Sequence, residues 1–90
     1  MNREISVESI VGPWSGLADT GLTQRCKAAW TTPLRKLSDL MVCTFLNQMV
    51  ATPEILEEAE FRLETIARDD SELFDGQLQE AVAAAKANAT

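Results

Sequence analysis

The sequence predicts an all-α protein, a compact bundle of four to five short helices, and three observations carry that prediction. Apolar residues recur at helical spacing from Leu22 onward. Hydroxyl and proline signals fall at the joints between the periodic segments, at Thr20, Ser38 and Thr52-Pro53. No stretch alternates apolar and polar residues as a half-buried strand does, and no internal repeat is visible. Ninety residues make one domain, 1–90, with room for a single modest core. At 46% hydrophobic and 24% charged residues, the chain is too apolar for disorder and ordinary for a soluble globule.

Residues 1–19 are the least regular part and form an N-terminal arm. A short helix from Ser6 to Val11 fits there, stopped by Gly12-Pro13, with Trp14 packing the arm onto the body. Thr20 caps the next helix, to about Trp30, since Leu22, Cys26, Ala29 and Trp30 share one face. Pro33 ends it, because the residue before a proline is driven toward extended geometry, and Leu34 and Leu37 anchor a connecting turn.

Ser38 caps a third helix from Asp39 to about Val50, the apolar centre of the fold. Thr52-Pro53-Glu54 starts a fourth, with the Thr52 hydroxyl as cap, Pro53 at the first helical position and an acid in the first turn. Ile55, Ala59, Leu63, Ile66 and Ala67 form its apolar stripe, Glu57, Glu58, Glu60 and Glu64 fill the other faces, and Arg68 suits its end. A last helix, capped by Asp75, runs from Gln77 to about Ala87. Its alanine-rich end has little to bury, which predicts fraying over residues 84–90. The core expected from these faces is Trp30, Leu40, Phe45, Leu46, Ile55, Ala59 and Leu63.

Charge is distributed unevenly. Residues 51–90 hold ten Asp and Glu against three Lys and Arg, whereas residues 1–50 hold four against five, so the second half is acidic and the first slightly basic within the net −6. An acidic field repels nucleic acid and anionic lipid and steers cationic partners inward, so the expected partner is a basic protein surface. The groups assigned to it are Glu57, Glu58, Glu64, Asp69, Asp70, Glu72 and Asp75, the last four surrounding the apolar pair Leu73-Phe74. The longest apolar run, from Leu40, is broken by Asn47 and Gln48 and falls short of the roughly 20 residues a membrane span needs. No cationic leader precedes an apolar stretch, which makes the expected compartment the cytoplasm.

Enzyme chemistry is not expected. The chain has no histidine and no tyrosine, and its two cysteines, Cys26 and Cys43, lie on apolar helical faces as buried free thiols. A calcium loop over residues 69–80 fails because Phe74 holds the sixth position, where the sharp turn requires glycine. Neither a cofactor nor a metal is expected.

The order of Arg25-Cys26, Trp30, Pro33-Leu34, Leu37-Ser38 and Gln48, then Ile55-Leu56 with Glu58-Ala59 and Leu63, then Glu72-Leu73-Phe74-Asp75-Gly76-Gln77-Leu78, resembles the small helical immunity proteins of bacterial contact-dependent growth inhibition systems. The likeness spans roughly residues 20–82, and its weight lies in order and spacing. It implies a cytoplasmic protein that binds the toxic C-terminal domain delivered by a neighbouring cell and blocks it, often by covering a nuclease active site. A nuclease presents cations to phosphate, and an acidic inhibitor complements that surface. The alternative from another class is a helical adaptor or oligomeric scaffold that uses the apolar stripes of the later helices.

Overall fold

A computed structural model describes residues 2–65 and 76–88. Among the described residues the helices are α1 (Val7–Val11), α2 (Gly21–Ala29), α3 (Asp39–Asn47), α4 (Thr52–Thr65) and α5 (Gln77–Asn88), with a 3-10 turn at Leu34–Lys36. Among the described residues there is no strand, and the protein is all-α.

Local chemistry explains where the first three helices begin. The Ser6 hydroxyl accepts from the Ser9 amide while the Ser9 hydroxyl accepts from the Ser6 amide, and Thr20 and Thr23 repeat the exchange at the start of α2. The Ser38 hydroxyl accepts from the Met41 amide at 3.1 Å. Gly12, at a φ of +100° that L side chains rarely adopt, stops α1.

The N-terminal arm is more firmly attached than its irregular sequence suggests. The Leu34 amide donates to the Ile5 carbonyl at 2.8 Å, Arg35 to Arg3 at 3.0 Å and Glu8 to Trp30 at 2.9 Å, and Val7 is fully buried. Trp14 meets Trp30 edge-on with ring centroids 4.9 Å apart, and Trp30 in turn meets Phe45 at 6.1 Å. The Trp30 indole donates to the Gly12 carbonyl at 2.8 Å, so this aromatic column ties arm, α2 and α3 together.

Helix α3 is central, packing most extensively on α5, then on α4 and α2. It contributes Val42, Cys43, Phe45 and Leu46 to the core, against Ile55 and Ala59 of α4 and Leu78, Ala81, Val82 and Ala85 of α5. Of the expected core, Phe45, Leu46, Ile55 and Ala59 are buried, whereas Trp30, Leu40 and Leu63 are half-buried. Trp30 lies in the turn that closes α2, one edge toward solvent, and Leu63 lies on the flank of α4 beside a shallow surface groove. The radius of gyration, 12.3 Å, matches the roughly 12 Å of a compact chain this long.

Two element boundaries differ from expectation. Helix α3 stops at Asn47 because Met49 takes a left-handed φ of +56°, and the Met49 and Val50 amides turn back to the carbonyls of Leu46 and Phe45. That pair of bonds is a Schellman closure with methionine where glycine is usual. The cap of α4 is Ala51, whose carbonyl accepts from the Ile55 amide at 3.0 Å, so Thr52 is the first helical residue and not the cap. Gly76 occupies the cap position of α5, its carbonyl accepting from the Glu80 amide; Asp75, expected there, lies outside the described residues. Helix α5 runs to Asn88, close to the expected Ala87, with Leu78, Ala81, Val82 and Ala85 buried.

Candidate protein-binding surface

Helix α4 carries Glu54, Glu57, Glu58, Glu60, Arg62 and Glu64, and its two faces use this charge differently. Ile55, Glu58, Ala59 and Arg62 form the buried face, so an acid and a base at helical i,i+4 spacing sit inside the apolar stripe. The Arg62 guanidinium donates to Glu58 Oε2 at 2.6 Å, to Asp39 Oδ1 at 2.9 Å and to the Leu34 carbonyl at 2.9 Å. Arg3 completes the cluster with two donations to Glu58, at 2.7 and 3.0 Å, and its guanidinium lies 4.1 Å above the Phe61 ring.

Two carboxylates and two guanidinium groups make this cluster neutral. Burial raises the Glu58 carboxyl, but hydrogen bonds from Arg3 and Arg62 outweigh it and hold the group below the usual carboxylate range. The Glu58 bond in turn raises the Arg3 guanidinium against its own desolvation. Glu58 is therefore saturated with donors, and the cluster locks the arm, the 3-10 turn, α3 and α4 together.

Glu58 belongs to the fold and not to the surface assigned to it from the sequence: it is fully buried, because its position falls on the core side of the helix. Glu57 and Glu64, seven residues apart, are exposed on the opposite side. The structure adds Glu60 between them, paired with Lys86 of α5 at 3.2 Å. Asp69, Asp70, Glu72 and Asp75 lie outside the described residues, as do Leu73 and Phe74.

One turn before the acidic stripe, α4 becomes apolar. Leu56 and Pro53 line a groove of about 410 Å³ with Leu46, Met49 and Ala85, where the end of α3, the start of α4 and the last turns of α5 converge. Met49 is 69% exposed at its rim. Glu60 and Glu64 line a shallower groove farther along the same two helices, with Leu63, Val82 and Lys86.

Cys26 and Cys43 are buried free thiols, as their apolar contexts predict, and burial raises the Cys26 thiol against the opposing charge of Arg25. Among the described residues no three Cys, Asp or Glu side chains converge on a metal position, and no helix is long and apolar enough to cross a membrane. No protein-family model, curated protein or solved structure matches the chain.

Proposed function

We propose that this protein is an immunity protein, which binds the cognate C-terminal toxin domain of a contact-dependent growth inhibition system in the cytoplasm and neutralises it through an acidic surface. The toxin is a basic nuclease in this reading, and the chain acts by binding and not by catalysis. The observation that carries it is the outer face of α4, where Glu57, Glu60 and Glu64 reach solvent and Glu60 pairs with Lys86. Arg62 offsets none of this charge, because it is consumed inside the neutral cluster with Glu58. A rigid helix that presents carboxylates at fixed spacing complements a surface built to hold phosphate. The order of motifs from Arg25 to Leu78 gives the same direction.

The alternative, a helical adaptor or oligomeric scaffold, draws on the apolar groove at Met49. Co-expression separates the two. The C-terminal fragment of a large toxin encoded next to this chain should be lethal alone and harmless when the chain is present. A harmless fragment, or one equally lethal with the chain, removes the toxin-inhibitor reading.

A further inference from the structure

The Gln48–Ala51 connection places Met49 where the chain would most easily accept glycine. At a φ of +56° a side chain crowds its own backbone, and the Schellman closure needs only the backbone of that residue. The Met49 side chain gives little back through packing, being 69% exposed at the rim of the apolar groove. Ala51, two residues on, is also left-handed, at a φ of +47°. Strained backbone of this kind gathers where a side chain is held out for a purpose other than folding.

The charges beside the groove say what kind of partner fits it. Leu56 lines it, Glu57 is the next residue, and Glu60 and Glu64 follow on the same face about one and two turns away, roughly 6 and 12 Å by helical rise. An apolar pocket with carboxylates along one side favours a large apolar side chain with cations beyond it. Anionic membrane and nucleic acid are both repelled by the same stripe.

We infer that the groove between Leu46, Met49, Pro53, Leu56 and Ala85 receives one large apolar side chain of a basic partner protein, whose lysines or arginines lie against Glu57, Glu60 and Glu64. This rests on the toxin-binding reading for the partner's identity, and on the groove and stripe for its chemistry. Glu60 exchanges Lys86 for a partner cation, which the half-exposed pair permits.

The test uses an end-capped, alanine-rich helical peptide carrying one leucine, with arginines one and two helical turns beyond it, and the same peptide in reversed order. Labelled methionine methyl groups report the site, since Met1, Met41 and Met49 are the three methionines and Met41 lies in a different groove. The Met49 methyl should shift on titration and that of Met41 should not. Replacing the peptide leucine by alanine, or its arginines by glutamines, should weaken binding about tenfold.

Met49→Gly is the decisive variant, because it relieves the left-handed strain and should raise the unfolding midpoint while weakening peptide binding about tenfold. Unchanged binding by Met49→Gly, or a Met49 methyl indifferent to the peptide, overturns the inference. So does a parent chain that light scattering finds dimeric and Met49→Gly returns to monomer, for then a second copy fills the groove. The toxin reading fails separately. If Met49→Gly and Leu56→Asp still protect cells as the folded parent does, the groove is excluded and the immunity function stands. If the peptide seats at Met49 but the parent protects no cell, the groove stands and the immunity function falls.

Discussion

Glu57 and Glu58 are neighbours in the chain and opposites in the fold. Glu57 faces solvent, whereas Glu58 is fully buried and accepts from Arg3 and Arg62. One residue of helical phase, about 100°, decides which carboxylate enters the core and which faces solvent. A count of carboxylates therefore overstates the acidic surface, because Glu58 and Asp39 are paired with guanidinium groups inside the protein, although this neutral cluster leaves the net charge unchanged. Among the described residues of α4, Glu57, Glu60 and Glu64 keep their carboxylates on the outer face.

The largest effect should come from breaking the inner cluster at its centre. Arg62→Ala leaves Glu58 with Arg3 alone and removes the donors to Asp39 and the Leu34 carbonyl, so a loss of about 3–5 kcal/mol is expected in urea unfolding. That is a large part of the roughly 5–15 kcal/mol a domain has. An unfolding curve matching the parent's would mean that the two faces of α4 do not differ as described. Arg3→Ala should be milder, at about 1–3 kcal/mol, because the Arg3 side chain is 30% exposed and Arg62 remains on Glu58. Its loss should also free the arm, which limited proteolysis before α1 would detect.

Much of this fold is legible in the residues, and the inner cluster shows where legibility stops. Ser6, Thr20 and Ser38 cap their helices because a hydroxyl bond to a nearby amide is a local event. The cap of α4 lies at Ala51 and not at Thr52 because Ala51 takes an unusual backbone angle that composition does not announce. Glu58 and Arg62 carried a usable signal: they fall between Ile55, Ala59 and Leu63 at i,i+4 spacing, and charges inside an apolar stripe imply partners. Arg3 and Asp39 carried none, since each is far from Glu58 or Arg62 along the chain and is brought close only by tertiary packing. The groove escaped notice for the same reason, its walls coming from three helices.

Acid should separate the two faces further. Because the folded Glu58 carboxyl lies below its unfolded value of about 4.3, its contribution is fully present above that value and is lost as pH falls through the folded value. Over that interval the unfolded chain binds the proton first, so stability declines with falling pH. Urea midpoints measured from about pH 6 downward should fall less steeply in Glu58→Gln than in the parent, from a lower starting point. Equal slopes for parent and Glu58→Gln would show that the cluster is not the titrating element.

The smallest effect on stability, and the most informative about function, belongs to the outer face. Glu57→Lys with Glu64→Lys reverses two exposed charges that lie away from the core, so the unfolding midpoint should stay near the parent's. Glu58 must not enter such a variant, because reversing it places two arginines around a buried cation and the fold would fail before any interface was tested. Toward a basic partner, charge at an interface rim acts mainly on encounter, so the double reversal should slow association and flatten its dependence on salt, with a smaller change in dissociation. Stopped-flow mixing with the toxin domain at low and high ionic strength reads both quantities. If the folded double variant associates at the parental rate with the parental salt slope, the outer carboxylates only keep the protein soluble. The partner must then be sought around α2 and the 3-10 turn, where Arg25, Lys27, Arg35 and Lys36 are exposed and Arg35 pairs with Glu4 of the arm.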